Sequence, residues 1–428
     1  MKRALSLPIT VLATLLAPAL AQAVRPGHLD RSFGGDGKVT TNFGHYNYGA
    51  DAAIDGHGRI VAVGHPWGYD FGLARYRRNG ELDRTFSGNG KVAKGVYGTP
   101  SSVAIDAKGR IVVAGDYGCD GDECSYWSAV LARYKPNGTI DRSFGFGGTV
   151  GAGFEGYDNS SLASIAIDPQ GRIVVAGEAD GGTPYNSGDF ALARYTPDGR
   201  PDPSFGGDGT ITTDFDGGSD GAGAVAIDPQ GRIVAAGGAW VGERHDFALA
   251  RYLPNGAPDP SFDGDGTVTT QLGASSGAAS MTIEPQGPIL VAGLADWRGG
   301  EGKFGLARYL PSGELDQTLG GNGTVTTKFG REHDSRAAAV AIDSHRRIVA
   351  VGSTEAPRSD DNFALARYWP SGSLDRSLSR NGKVITNLGG DDEAASALLA
   401  SRDRIVAVGG GGRKDDFALA RYVGYRRR

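Results

Sequence analysis

Short apolar runs alternate with short glycine-rich polar stretches along the whole chain, and the alternation repeats. Between Ala222 and Thr270 the order is AGAVAID, a Pro-Gln-Gly turn, RIVAAG, a loop, DFALARYL, a Pro-Asn-Gly turn, and PDPSFDGDGTVTT. The runs are four to eight residues long, rich in Val, Ile, Phe and Tyr, and bounded by Gly, Pro or Asn. That is the pattern of β-strands separated by tight turns. No stretch of the unit sustains a helical period. Four strands per unit are predicted.

The unit recurs. A run ending Leu-Ala-Arg-Tyr occurs at Leu73–Tyr76, Leu131–Tyr134, Leu192–Tyr195, Leu249–Tyr252, Leu306–Tyr309, Leu365–Tyr368 and Leu419–Tyr422, with spacings of 54 to 61 residues. The stretch that follows carries an Asp at Asp30, Asp83, Asp141, Asp202, Asp259, Asp316 and Asp375. It also carries a glycine at Gly37, Gly90, Gly148, Gly209, Gly266, Gly323 and Gly382, always preceded by Asp, Asn or Gly. Such pairs tolerate the positive φ that turns between strands require.

Four antiparallel strands in a unit of this length form a β-propeller blade. A lone blade cannot bury both faces, so blades stack. The chain opens on the last strand of a unit, within LDRSFGGDGKVTT (Leu29–Thr41), and ends on the first three strands of another, Ala394–Tyr422. The expected fold is therefore all-β: a seven-bladed β-propeller of four-stranded antiparallel blades spanning residues 24–425. Its last blade combines 394–422 with 29–43, closed by the N-terminal strand. An open stack would leave a raw strand edge instead.

The motifs AIDPQGRIVVAG, FALARYLPNG and LDRSFGGDG resemble the bacterial delta-60 repeat, a propeller-forming unit of exported proteins, and the resemblance covers Leu29 to Tyr422. It implies the fold and an exported setting, and no activity. The seventh unit departs from the pattern, reading ALLASRDRIVAVG without the usual Asp-x-x-Gly.

The first residues lie outside the repeat. Lys2 and Arg3 precede an uncharged apolar run, Leu5–Leu20, and Ala21-Gln22-Ala23 offers a cleavage site. Residues 1–23 are expected to be a signal peptide, giving a secreted protein, periplasmic or extracellular. Removing Lys2 and Arg3 takes the net charge from −5 to −7. This acidic balance excludes a nucleic-acid partner, and no second long apolar run suggests membrane insertion. Arg426–Arg428 reads as a short basic tail, and a monomer is expected. Glycine supplies 70 of 428 residues without a Gly-X-Y period, which fits many turns and excludes collagen. Export makes a Cys119–Cys124 disulfide the expectation, with a calcium loop from Asp120, Asp122 and Glu123 as the alternative.

Residues repeated in all units point to structure. The Arg of Leu-Ala-Arg-Tyr and the following Asp are expected to pair within a blade, for example Arg251 with Asp228 or Asp259. Function is sought where units differ. The loops after the second and fourth strands vary in length and fall on one face. That face gathers aromatics: Trp67, Tyr69, Trp127, Trp240 and Trp297 after second strands, and Tyr46 and Tyr48 after a fourth. Tyr97, Tyr117, Tyr126, Tyr157 and Tyr185 join them. Trp and Tyr give rigid contact area suited to sugar faces or apolar side chains. Acidic residues, Asp220 and Asp334 among them, share the face.

Catalysis has less support. The positions expected to line the axis are Asp51, Ser102, Ser164, Ala224, Ser280, Ala339 and Ser396, of which Asp51 alone is ionisable. His45, His65, His245 and His333 fall in different blades without ligand spacing. No catalytic residue, metal or cofactor is assigned from the sequence. The expected role is a binding or scaffold module for a glycan or protein ligand. A propeller hydrolase or lyase acting on an extracellular polysaccharide or lactone is the alternative.

Overall fold

A computed structural model describes residues 25–44, 47–66, 70–117, 128–154, 157, 159–180, 188–331, 333–355, 361–389, 394–400, 404–411 and 416–425, with residues 394–400 described by backbone alone. These residues form seven four-stranded antiparallel sheets and no helix. Six sheets are continuous in sequence, and the seventh orders its strands Lys38–Thr41, Asp416–Val423, Arg404–Gly411, Ala394–Ala400. The first strands of successive blades touch one another in a closed circuit, with Tyr48–Ile54 against both Thr99–Ile105 and Ala394–Ala400. The protein is a seven-bladed β-propeller.

The apolar second and third strands are buried on both faces because every blade is covered by two neighbours. In blade 3, Val174 and Ala176 face blade 4, while Val175 between them faces blade 2. Seven apolar clusters fill the seven seams between blades. This explains continuous apolar runs in an antiparallel fold, where alternation would mark a sheet with one wet face.

Each seam is riveted by the arginine of Leu-Ala-Arg-Tyr. Arg251 donates from Nε to Asp259 at 2.8 Å and from Nη2 to the Ser261 hydroxyl at 2.9 Å. Its Nη1 donates to the Pro311 carbonyl of the next blade at 2.6 Å, and the guanidinium lies 4.6 Å from the Phe262 ring centre. The expected pairing with Asp259 is therefore present, while Asp228 pairs instead with Arg232 at 2.6 Å and caps its own turn. The arginine also bridges blades, which a purely intrablade pair would not do. Tyr252, Tyr309, Tyr368, Tyr76 and Tyr422 add a second tie, each sharing a hydrogen bond with a threonine of the preceding blade's fourth strand at 2.7 to 2.9 Å.

Two glycine positions have different causes. Gly266 has φ +96° in the turn before the fourth strand, the conformation the Asp-Gly pair predicts. Gly177 sits opposite a β-bulge between Leu162 and Ser164, where a Cβ would lie 1.8 Å from the Ser161 carbonyl oxygen. Only glycine fits that close approach.

The closure reproduces a turn without a peptide connection. In blade 4, Leu253 N donates to Ala257 O, Gly256 N to Leu253 O, and Arg194 reaches the Pro254 carbonyl. At the seventh blade Val423 N donates to His28 O at 2.9 Å and Gly27 N to Val423 O at 2.8 Å. Arg367 reaches the Gly424 carbonyl in the same manner. Two separate chain segments thus take the roles of one Pro-Asn-Gly turn.

Candidate functional site

The long connections after second and fourth strands lie on the face opposite the short turns. Of the sequence-predicted aromatics, Tyr46, Trp67, Tyr69 and Trp127 lie outside the described residues, as do Cys119, Cys124 and the possible calcium loop. Tyr48, Trp240 and Trp297 are placed. Tyr48 begins the first strand of blade 1 and packs its ring beside Gly410 of blade 7. Trp240 and Trp297 lie in strands rather than loops, because the second strands of blades 4 and 5 extend as Ile233–Val241 and Ile289–Arg298 into hairpins beyond the body. They occupy corresponding hairpins of adjacent blades and are 39% and 46% exposed. The Trp240 ring meets His245 edge-on at 4.8 Å, which fixes its orientation.

Beside Trp240 lies an acidic cluster. Asp189 opens the third strand of blade 3, Asp214 follows its fourth strand, and Asp220 opens blade 4. One oxygen from each carboxyl lies within 4.8 Å of the other two. Asp220 is fully buried and accepts from the Trp240 amide at 3.0 Å and the Phe215 amide at 2.8 Å. Asp189 accepts from the Tyr157 hydroxyl at 2.9 Å. Asp214 is exposed and accepts from the Gly217 amide at 2.6 Å. Burial raises the Asp189 and Asp220 carboxyls above the usual range, and the charge of Asp214 adds to both. Three acids so close call for hydroxyl or cationic donors from outside.

A cavity of about 310 Å³ adjoins the cluster, lined by Asp116, Asn159, Ser160, Ser161, Glu178 and Asp180. Burial pushes Asp116 up to about 6 despite an accepted hydrogen bond from the Leu162 amide at 2.8 Å. Burial also raises Glu178, helped by the charges of Asp180 and Asp220, so the two acidic groups share one field. Asp116 and Glu178 follow the bulge-facing glycine of the second strand. That position reads His65, Asp116, Glu178, Gly238, Leu294, Ser353 and Gly410 around the ring, varying directly after an unvarying glycine. This variation was the available signal for residues that the sequence reading passed over. Asp189 and Asp214 gave none, since they read as a strand opener and a turn former.

The axis offers less chemistry. Asp51 accepts from the Ser102 hydroxyl and the Val103 amide, both at 2.9 Å, joining blades 1 and 2. Ser164 and Ser280 accept from the amides of Val225 and Val340 in the next blades, at 3.1 Å each. These axial polar groups stitch first strands together.

Repeats across the chain match a β-propeller family. Residues 58–86, 109–144, 169–205, 229–262, 285–319 and 346–378 match the model of a family described as a domain of unknown function (DUF5122) beta-propeller. The matched segments fall one in each of the six continuous blades. No curated protein matches the sequence. Among solved structures, the extracellular domain of the one component system BT4673 from B. thetaiotaomicron aligns at 10% identity and TM-score 0.45, over 90% of this chain and 40% of that one. The chain thus spans well under half the length of that protein. A protein of unknown function from Dyadobacter fermentans aligns at 13% identity and TM-score 0.45, over 91% and 98% of the two chains. The polysaccharide lyase Uly1 aligns at 11% identity and TM-score 0.43, over 94% and 98%. Among the described residues no helix is long and apolar enough to cross a membrane.

Proposed function

We propose that this protein is an exported ring of delta-60-type repeats that binds a glycan or protein ligand through the variable-loop face of blades 3 to 5. Residues 1–23 serve as its export signal in this reading. The observation that carries it is the adjacency of exposed Trp240 to the Asp189, Asp214 and Asp220 carboxyls, joined through the Trp240 amide. A sugar presents an apolar C–H face to an indole and vicinal hydroxyl donors to carboxylates, so this pairing suits a neutral or amino-sugar glycan best. Trp297 on the next hairpin lengthens the platform. The test is a glycan array followed by calorimetry on the best hit. Trp240→Ala should weaken binding at least tenfold and Trp297→Ala less; a hit whose affinity neither change alters removes the site.

A second reading, polysaccharide hydrolysis or elimination, draws on Asp116. A carboxyl held near 6 beside Glu178 in a cavity is suited to give or take a proton at neutral pH. Turnover of an acidic or neutral polysaccharide panel, lost in Asp116→Asn, is the expected result of that reading. No turnover by the parent protein would end it.

A further inference from the structure

On the short-turn face, arginines converge at the seam between blades 6 and 7. A cavity of about 810 Å³ opens there, against about 340 Å³ for the cavity between blades 5 and 6 and about 890 Å³ for one lined by blades 7 and 1. The two chain segments that take the place of a covalent turn form one wall of it, through Arg25, Pro26, His28 and Tyr425, and blade 6 forms the other.

Its lining is cationic. Arg25, Arg347, Arg376 and Arg380 surround it with His28 and Tyr425. Arg347 is already committed: its guanidinium lies 4.5 Å from the Trp369 ring centre and 4.6 Å from that of Tyr425, and it pairs with Asp375 at 2.6 Å. Asp375 is also shared with Arg367, at 2.8 Å, and is wholly buried. The side chains of Arg25, Arg376 and Arg380 are exposed and form no hydrogen bond or ion pair among the described residues. Among the described residues no carboxylate lines this cavity, whereas Glu284 and Asp316 line the smaller one beside Arg308 and Arg346. In a chain of formal charge −5, three unpaired guanidiniums around one concavity are a local reversal of sign.

We infer that this seam is a binding site for a small polyanion carrying two or more phosphate or sulfate groups. Guanidinium forks match such oxyanions in geometry and bind them with charge-assisted hydrogen bonds. The cavity exceeds what one tetrahedral anion fills, and its free arginines stand on two segments, Arg25 on one and Arg376 and Arg380 on the other, so two anionic groups are needed to engage both. The site is independent of the glycan-binding reading, being on the opposite face and built from other residues.

The test titrates the full chain at low ionic strength with inorganic pyrophosphate and, separately, with a disulfated disaccharide. One saturable site is expected in at least one arm, and the arm that responds identifies the phosphate or the sulfate form. Arg376→Gln/Arg380→Gln should weaken that binding at least tenfold with an unchanged melting temperature, because neither side chain has a structural partner. Arg31→Gln/Arg142→Gln, which removes the same charge from exposed positions of the same turn at other seams, should leave affinity within about twofold. Absence of saturable binding in both arms, or equal losses in the two double variants, overturns the inference.

Discussion

Asp116 shows how one buried carboxyl sets a pH dependence. Its folded-state value of about 6 lies above the roughly 3.9 of an unfolded Asp, so ionisation weakens the fold. The associated stability is complete below about pH 4 and is lost as pH rises through 6. Asp116→Asn should therefore be more stable than the parent above pH 6, by at most about 3 kcal/mol, with the difference vanishing near pH 4. Denaturant unfolding at pH 4 and pH 7.5 measures this, and a variant less stable at pH 7.5 would refute it. Glycine at position 177 was visible in the sequence as a repeated residue, yet its reason was not. The bulge in the paired strand exists only once the register is formed, and turn propensity says nothing of it.

Within the blade, the four strands were legible because their apolar runs and turn residues are local signals. The arginine rivet was half legible. Spacing suggested a partner for Arg251 but left Asp228 and Asp259 as equals. The choice follows from the third dimension, where Asp228 caps the turn it stands in and its outer oxygen is held by Arg232. The bond to Pro311 crosses sixty residues and belongs to the seam, so no single unit contains it. Arg251→Met tests the rivet. It leaves Asp259 buried without its main partner, and a loss of about 3 to 5 kcal/mol is expected. Chemical denaturation that shows less than about 1 kcal/mol would mean the stacked Phe262 and apolar seam suffice alone. The hairpins bearing Trp240 and Trp297 were read as loops because loop length varies there, and cross-strand pairing such as Trp240 with His245 has no local signature.

At the scale of the ring, equal counts of two half-motifs were enough to predict closure, since a first strand without its blade and a last blade without its fourth strand fit only each other. Asp220 was placed on the variable-loop face from the sequence, but its meeting with Asp189 and Asp214 was not legible, because the three come from two blades and meet only when those blades stack. The non-covalent turn makes the cut in the chain a matter of position rather than of architecture. Joining Gly424 to Gly27 through one Asn, with new ends opened between Asn255 and Gly256, should give a protein that folds to the same ring within about 2 kcal/mol of the parent. Deleting residues 25–44 instead should expose the Asp416–Val423 edge and yield aggregates. Size-exclusion and melting curves of the two proteins decide it; a permuted chain that fails to fold would show that the native ends contribute more than a turn.

Arg25 and Tyr425 stand at the same seam and on the same side of the disc. Any tether attached to either flank, whether a fused domain or a surface anchor, would hold the disc by its underside. The indole and carboxyl groups of blades 3 to 5 would then be displayed outward, towards whatever drifts past.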